Sequence, residues 1–245
     1  MRDPKTAIEK PAAARIMGNR RNGSQIIVLD VVYKDRAYEE PGMEPFGVLE
    51  AIAIPFDEVN VDTNQLCPTR FNKVPRGQGY ERILFHDRRF DAQGGEIADF
   101  ILNREPYRHA GIVVAERNFG CGSSRESAVY ALHAFGIRAL IAPSFGDIFA
   151  SNCQKNGLLP VFLPAEAVAD LRRQLHARIG ATVKVDLMEQ TVTGPDGGTH
   201  AFDIHPLQKR CLLEGLDDIS LTQRYATEFN AFETRHRAAM PWLFG

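Results

Sequence analysis

The sequence has few cysteines, and none of them has another cysteine close by. They are Cys67, Cys121, Cys153 and Cys211, far apart in the chain. This spacing excludes the CxxC pattern of a zinc site and the tight cysteine clusters of many ferredoxins. We therefore predict no metal site in this chain, and reduced thiols that are mostly buried at positions 67, 153 and 211. Cys121 differs because it lies within a glycine-rich segment.

The sequence also lacks an excess of one charge and a long apolar run. Its 29 Lys and Arg residues nearly balance 31 Asp and Glu residues, so the net charge of -2 gives no basis for binding nucleic acid or an acidic membrane surface. No apolar stretch approaches the roughly 20 residues of a membrane helix. The N-terminus has no apolar core of the kind a secretory signal needs. We therefore expect a cytoplasmic globular protein in which any anion-binding site is local.

Residues 1–42 differ in composition from the rest of the chain. They are rich in Arg, Lys, Asn and Gly, apart from one apolar stretch at residues 26–33 that has the composition of a strand. We interpret residues 1–42 as an N-terminal extension, flexible at least over residues 1–24, and residues 43–245 as one domain. Met43 begins a segment typical of a natural start. We expect either that translation begins there or that residues 1–42 are disordered.

Beyond residue 43, strand patterns alternate with helix patterns. Short apolar runs predict strands at 48–56, 111–116, 138–142 and 158–163, of which the one at 111–116 is expected to be buried. Helical periodicity predicts helices at 125–136, 143–157, 165–180, 207–215 and 219–237. The second of these helices has a capping-box start at Ser144 and Asp147. Residues 183–204 are typical of a hairpin with GPDGG as its turn. Alternating strands and helices form parallel sheets, so the predicted fold class is α/β, a single layered domain.

Two segments near the start of the domain are predicted to be irregular. NVDTNQLCPTRF, residues 60–71, has the pattern of a polar turn followed by a short, partly apolar piece. KVPRGQGYERILF contains the turn-forming residues Pro75, Gly77 and Gly79, which is typical of a mobile loop. Arg76 lies near the tip of that loop.

The segment NFGCGSSRES, residues 118–127, is the candidate functional site. Gly120 and Gly122 permit positive φ and let the backbone approach a ligand without an intervening Cβ. The helix predicted to follow presents free N–H groups, and Arg125 adds a charge whose shape matches a carboxylate. Ser123 and Ser124 place two hydroxyl groups at the same point. Together these features predict a site for a carboxylate or a phosphate.

The same residues have a structural interpretation. Ser123 and Glu126 have the spacing of a capping box, which would make Ser123 the cap of the helix. Two adjacent serines favour function, because only one of them can be the cap. An arginine in the first turn is also unfavourable against the helix dipole unless it meets an anion. The turn has neither the GK[ST] ending of a P-loop nor the GxGxxG of a dinucleotide site.

From about Met43 to Trp242 the sequence resembles the small subunits of 3-isopropylmalate dehydratase, a family of the aconitase superfamily. The segments that carry the resemblance are, in order, NVDTN, FGCGSSRES, IAPSFGDIF, NCQKNGLLPV and GLDDISLT. The resemblance implies an aconitase-like swivelling β/β/α domain with a central, mostly parallel sheet flanked by helices. It also implies a hydro-lyase of leucine biosynthesis that isomerises 2-isopropylmalate and 3-isopropylmalate by dehydration and rehydration.

The resemblance further implies that this chain supplies half of an active site. In the family the [4Fe-4S] cluster belongs to a large subunit, so this chain is expected to bind no cofactor and to act only in a heterodimer or heterotetramer with that partner. By motif position, Ser123 resembles the serine whose alkoxide removes a proton at carbon. Arg125 resembles the arginine that holds a carboxylate of the small carboxylic-acid substrate. Ser124 and Gly122 adjoin it in the same binding turn.

Two further residues match the superfamily pattern and keep a structural alternative. Arg76 lies where the superfamily carries another substrate-binding arginine, and the alternative is a solvated loop charge. Asp62, in NVDTN, is in position to order the edge of the active site, and the alternative is an Asx-turn residue. The three histidines His86, His109 and His133 have no partner spacing and are interpreted as structural or surface residues.

The chain departs from the family pattern at three positions. It has Ser127 where the family has the histidine of SREHA, Asn64 where the family has the last residue of NVDTD, and Arg88 in the tryptophan position of LFxDWRF. The serine and the arginine of the turn are retained, so these changes bear on substrate identity more than on reaction class. The alternative functions are a paralogous hydro-lyase acting on a methyl- or dimethyl-malate, or a non-catalytic carboxylate-binding module.

Overall fold

The structure, a computed structural model, describes residues 43–76 and 79–243. The expected N-terminal extension at residues 1–42, with its predicted strand at 26–33, lies outside the described residues. So does the tip of the predicted mobile loop at residues 77 and 78. The expectations for these segments, and for a start at Met43, stay predictions.

The described residues form a seven-stranded sheet in the order β4-β3-β2-β1-β5-β6-β7. Its strands are β1 Val48–Phe56, β2 Ile112–Ala115, β3 Ala139–Ala142, β4 Leu159–Phe162, β5 Thr182–Asp186, β6 Thr191–Thr193 and β7 Thr199–Ala201. Strands β1 to β4 are parallel, and β5 to β7 continue the sheet in antiparallel fashion from β1. The four predicted strands are therefore confirmed. The three that alternate with helices run parallel as expected, and β1 runs parallel to β2.

The region predicted as a hairpin contains three strands rather than two. The GPDGG turn joins β6 to β7, where the Gly194 N–H donates to the Gly198 carbonyl at 2.8 Å. Strand β5 precedes this hairpin and pairs with both β6 and β1. The antiparallel part of the sheet is thus larger than the sequence pattern indicated, because the chain turns between residues 186 and 191 and divides the first strand of the predicted hairpin into β5 and β6.

Nine α-helices are present among the described residues: α1 Thr63–Leu66, α2 Tyr80–Ile83, α3 His86–Arg89, α4 Ser127–Phe135, α5 Asp147–Lys155, α6 Ala165–Ala177, α7 Pro206–Glu214, α8 Asp218–Gln223 and α9 Ala226–Ala239. Residues 60–71, predicted to be irregular, form α1 and a 3₁₀ turn at Thr69–Phe71 instead. None of the helices in the described part combines the length and the apolar character needed to cross a bilayer.

The sheet carries an apolar layer on each face, which explains why its parallel strands are continuous apolar runs. In β2, Val113 and Ala115 belong to one buried cluster, and Ile112 and Val114 belong to the other. Helices α4 and α5 contribute to the first cluster, and α6 contributes Val168, Leu171 and Leu175 to the second. Helices on both faces of a sheet give the layered α/β architecture that the sequence predicted.

One predicted helix start is wrong. Helix α5 begins at Asp147 after Gly146, with no side-chain cap, so Ser144 and Asp147 do not form a capping box. The Ser144 hydroxyl oxygen instead accepts the backbone N–H of Asn118 at 2.9 Å. Ser144 therefore joins two loops, a tertiary role that the local spacing cannot reveal.

Candidate active site at the ends of three parallel strands

The NFGCGSSRES turn lies between two other loops at one edge of the sheet. It follows β2, and its neighbours are the loops that follow β1 and β3. Two isolated bridges join them, between Asp62 and Cys121 on one side and between Phe119 and Phe145 on the other. Since parallel strands end at the same edge, the sheet order β3-β2-β1 brings these three loops together. The carboxyl ends of parallel strands are where open α/β sheets bind their ligands.

Gly120 is required for the turn to pack against α5. Its φ is +72°, and a Cβ at this position would overlap the ring of Phe149, with Cε1 at 2.6 Å. A Cβ at Gly146 would in turn come within 2.7 Å of the Gly120 carbonyl oxygen. The backbones of the turn and of the α5 N-terminus therefore approach more closely than side chains would permit. This contact determines how closely the turn approaches the N-terminus of α5.

Ser123 is half-buried and is held through its backbone. Its N–H donates to the Thr63 hydroxyl oxygen at 2.9 Å, and Thr63 itself is buried at the start of α1. The Ser123 hydroxyl oxygen accepts the backbone N–H of Arg125 at 3.3 Å. The serine oxygen is therefore placed beside a backbone donor, which is an arrangement that stabilises negative charge on that oxygen.

The capping-box interpretation of Ser123 is wrong. Helix α4 begins at Ser127, and its cap residue is Glu126, which makes no side-chain cap hydrogen bond. Ser123 thus lies in the loop, upstream of the helix. The same finding corrects the position of Arg125, which precedes the helix instead of lying in its first turn. The other end of α4 is as predicted, because Gly136 ends it with φ +109°.

Gly122, Ser124 and Arg125 are exposed along the outer side of the turn. The Ser124 carbonyl accepts the Asn152 side-chain N–H at 3.1 Å, so α5 holds this part of the turn as well. Among the described residues, no hydrogen bond or ion pair engages the Arg125 guanidinium. Ser124 and Arg125 are therefore exposed on the outer side of the turn, directly after the half-buried Ser123.

Asp62 has the capping role and also lies at the edge of the turn. Its carboxylate accepts the Gln65 N–H at 2.8 Å and so caps α1, as the Asx alternative expected. Its backbone bridges to Cys121. Burial and then the charge of Asp62 raise the pKa of the Cys121 thiol. Cys121 is therefore neutral at ordinary pH and does not supply a thiolate base beside Ser123.

Arg76 is held against α4, the helix that follows the turn, through an aromatic contact. Its guanidinium stands 4.4 Å from the ring centroid of Tyr130 in α4, and the Tyr130 hydroxyl donates to Glu126. Arg76 is exposed. The N-terminal half of α4 therefore contacts Arg76 through Tyr130. The same helix begins two residues after Arg125 in the chain.

A polar contact beside the turn was not predicted from the sequence. The Ser127 hydroxyl donates to the Asn72 side-chain oxygen at 2.9 Å, which ties the segment before Arg76 to the first residue of α4. Burial raises the pKa of the Cys67 thiol, while its hydrogen bond with Ser127 and the charge of Arg125 act in the opposite direction. Thr63 and Asn152 lie in the matching segments NVDTN and NCQKNGLLPV, whereas no sequence signal pointed to Asn72, because its role depends on loops that meet only in the fold.

The three departures from the family pattern have partners within the chain. Asn64 accepts the N–H and the hydroxyl of Thr69, at 2.9 and 2.8 Å. Arg88 forms an ion pair with Glu58 and lies 4.8 Å from the Phe100 ring centroid. Ser127 bonds to Asn72, as described above. Each substituted side chain therefore serves local packing, and none displaces Ser123 or Arg125.

The turn is open rather than enclosed. A cavity of about 440 Å³ lies elsewhere, lined by residues that include Arg82, Arg89 and Phe135. That cavity is also lined by Glu81, Glu96 and Arg108, but it contains none of the predicted site residues. We place the candidate site at the turn because Ser123, Ser124 and Arg125 lie there. Within residues 43–76 and 79–243, no group of three or more His, Cys, Asp or Glu side chains is placed to hold a metal ion. All four cysteines are free, and Cys67 and Cys153 are buried.

Comparison with known protein families divides the chain into three matching parts. The model of the aconitase C-terminal domain matches residues 43–166. A model described as LeuD_N matches residues 169–206. The model of the C-terminal domain of 3-isopropylmalate dehydratase small subunits matches residues 218–245.

Curated relatives match most of this chain along the whole of their own length. The 3-isopropylmalate dehydratase small subunit of Dinoroseobacter shibae is 49% identical over 201 residues, covering 82% of this chain and 100% of the relative. That of Paramagnetospirillum magneticum is 47% identical with the same coverage. Among solved structures, a 3-isopropylmalate dehydratase of Methanocaldococcus jannaschii is similar in fold, with a TM-score of 0.54, 24% identity, and coverage of 75% of this chain and 99% of that one.

Proposed function

Because the chain belongs to the family of 3-isopropylmalate dehydratase small subunits, we propose that it is the small subunit of a hydro-lyase in leucine biosynthesis. The assembled enzyme isomerises 2-isopropylmalate and 3-isopropylmalate through loss and return of water. The observation that carries the proposal is the similarity to small subunits along their full length. The turn that places Ser123 beside Arg125 is consistent with it.

Ser123 is proposed as the base that removes the proton at carbon. A serine hydroxyl is a weak base at neutral pH, so its alkoxide must be stabilised by nearby donors or positive charge. The Arg125 N–H at 3.3 Å from the hydroxyl oxygen supplies one such donor, and the exposed Arg125 guanidinium supplies positive charge close by. The hydrogen bond that the Ser123 N–H donates to the Thr63 hydroxyl oxygen holds the serine in place during the transfer. The serine oxygen takes the proton from one substrate carbon, and the hydroxyl group at the neighbouring carbon leaves as hydroxide, so that one water is lost in total. On rehydration, hydroxide adds to the carbon that lost the proton, and the serine gives its proton to the carbon that lost the hydroxyl, which restores the alkoxide.

Arg125 is proposed to bind a substrate carboxylate, with Ser124 and the Gly122 backbone beside it. A guanidinium forms two parallel hydrogen bonds with a carboxylate, which fixes orientation as well as charge. Arg76 is proposed as a second carboxylate contact, because Tyr130 and Asn72 hold its segment next to the turn. Asp62 supports the edge of the site through its cap on α1.

The remainder of the site is proposed to come from a large subunit, in a heterodimer or heterotetramer. The donor groups of the described residues do not fit a cluster, since two of the four cysteines are buried and no three ligands converge. We therefore assign the [4Fe-4S] cluster to the large subunit, where it would bind the substrate hydroxyl and a carboxylate. The pathway to which the enzyme belongs suggests that both chains work in the cytoplasm.

The proposal is tested by reconstituting the full chain with a cluster-loaded large subunit and supplying isopropylmalate. We expect conversion between the two isomers, followed by the absorbance of the unsaturated intermediate and by chromatography of the products. Methyl- and dimethyl-malate serve as competing substrates. Turnover of one of these without turnover of isopropylmalate would identify the paralogous hydro-lyase. Binding of isopropylmalate without any turnover would identify a carboxylate-binding module.

Replacing Arg125 by glutamine is expected to lower kcat/KM by about 10- to 100-fold, mainly through KM. The estimate follows from the loss of a charged hydrogen-bond pair worth roughly 1.5–3 kcal/mol. The measurement is steady-state kinetics of the assembled enzyme. Arg173→Gln is a matched control, because Arg173 is an exposed arginine on α6, which packs on the opposite face of the sheet. Equal effects of the two substitutions would contradict a substrate contact for Arg125.

A further inference from the structure

Helices α8 and α9, followed by the 3₁₀ turn Pro241–Leu243, form a segment that adds nothing to the core; we call residues 218–243 the C-terminal arm. Within the described chain, no residue of these three elements is buried. An isolated helix of this length is marginal in water, so most helices owe their stability to packing. The arm is therefore a folded segment whose packing partner is not found among the described residues.

Several exposed side chains of the arm are large and apolar, and three of them recur at helical spacing. Phe229 and Phe232 lie on one face of α9, and Tyr225, the residue before α9, is four positions ahead of Phe229. Tyr225, Phe229 and Phe232 are 51%, 52% and 57% exposed. Ile219 of α8 and Trp242 beyond α9 are exposed as well. Apolar groups clustered in this way on a surface mark an interaction site.

Helices α8 and α9 also enclose a groove that can receive part of a partner. Its volume is about 420 Å³, and its lining includes Ile219, Thr222 and Phe229. Aromatic anchors on one face of a helix, beside an apolar groove, are the features by which a helix docks against another protein.

The arm is attached to the helix that supports the candidate active site. Lys155, the last residue of α5, forms an ion pair with Asp218 at 2.8 Å, at the start of the arm. Near its other end, α5 packs Phe149 against Gly120 and holds the Ser124 carbonyl through Asn152. The ion pair with Asp218, and more weakly the charge of Glu126 beside the turn, raise the pKa of Lys155. The arm and the turn are thus joined by one short helix.

We propose that the C-terminal arm is the docking surface for the large subunit, an inference that rests on the proposed function. The outer side of the turn is exposed, and α5 contacts both the turn and the start of the arm, so a chain that covers the turn comes close to the arm. The family comparison separates the same two parts: the aconitase C-terminal model covers the turn and ends at residue 166, whereas the model named for the C-terminal domain of the small subunits covers residues 218–245. The arm matches a model named for small subunits, and it exposes an aromatic face. Both features fit the role of binding a large subunit that is a separate chain.

The test replaces both α9 phenylalanines by a polar residue that preserves helix formation, in the variant Phe229→Gln with Phe232→Gln. The control is Thr227→Gln with Ala238→Gln, which places two glutamines on the opposite face of α9. Sedimentation velocity and calorimetric titration of each full chain with the large subunit give Kd. We expect the phenylalanine variant to weaken Kd by about 100-fold or more and the control variant to match the unsubstituted chain. Since no residue of the arm is buried, the unfolding midpoint of the isolated small subunit should be unchanged.

Activity at rising concentrations of large subunit adds a second readout. A docking role predicts that the phenylalanine variant regains the full kcat once the complex forms. An unchanged Kd would overturn the proposal. So would self-association of the unsubstituted chain that the variant abolishes while its affinity for the large subunit stays the same, or protection of the arm from protease that deletion of residues 1–42 removes. Failure of the proposed function looks different: the two chains assemble with the expected dependence on the arm, and isopropylmalate is not turned over.

Discussion

Replacing Ser123 by alanine is expected to reduce kcat of the assembled enzyme by about 10²- to 10⁴-fold, the range typical of a general base. The physical reason is that Ser123 carries the one hydroxyl of the turn that accepts the Arg125 N–H, at 3.3 Å, and that is tied through its backbone to the buried Thr63. Alanine keeps the backbone contact and removes only the oxygen. KM is therefore expected to change little. The measurement is steady-state turnover of isopropylmalate by the complex with the large subunit.

Two further serines give the controls for this experiment. Ser124→Ala removes the neighbouring exposed hydroxyl and is expected to cost about tenfold or less, as for one neutral hydrogen bond to substrate. Ser151→Ala changes an exposed serine on α5 and is expected to leave turnover unaltered. If Ser124→Ala were the more damaging substitution, the base would be Ser124, and Ser123 would be the neighbouring hydroxyl that contacts substrate.

Replacing Gly120 by alanine is expected to lower the free energy of unfolding by about 2–5 kcal/mol. Roughly 1–2 kcal/mol come from the left-handed backbone at φ +72°, and the rest comes from overlap with the Phe149 ring. The measurement is urea unfolding of the small subunit alone, which needs neither the large subunit nor substrate.

The two contributions can be separated with a second glycine. Gly94 has φ +82°, and a Cβ there would meet nothing within 4 Å, so Gly94→Ala reports the backbone term alone. The overlap with Phe149 is tested by the double variant Gly120→Ala with Phe149→Ala, which is expected to lose less than the sum of the two single changes. Equal losses for Gly94→Ala and Gly120→Ala would show that the turn moves away from α5 at no cost.

Much of the fold follows from local patterns. Strands β2 and β3 are buried throughout, and β1 and β4 over much of their length, so these strands are recognisable as apolar runs. Helix α4 ends at Gly136 because its backbone is left-handed there. The additional strand β5 was not recognised, because pairing on both edges depends on β1, which lies more than a hundred residues earlier in the chain.

The candidate site was predicted less completely, for a related reason. The glycines, serines and arginine of the turn are consecutive and were found together. Both predicted capping boxes are wrong, because Ser123 and Ser144 direct their hydroxyl groups to contacts outside the helices that they were expected to cap. Such choices depend on which loops lie side by side at the sheet edge. For the same reason Thr63 and Asn152 acquire their roles only in the folded chain.

The shared support of the turn and the arm by α5 has a consequence for how such an enzyme opens and closes. At about 1.5 Å per residue, a helix of nine residues is roughly 13 Å long, so two contacts with the same partner lie close together. Once the arm is bound, contact at the turn becomes an intramolecular event with a high effective concentration. The contact around substrate can then be weak. Substrate can enter and product can leave by repeated opening at the turn, while the two chains stay together.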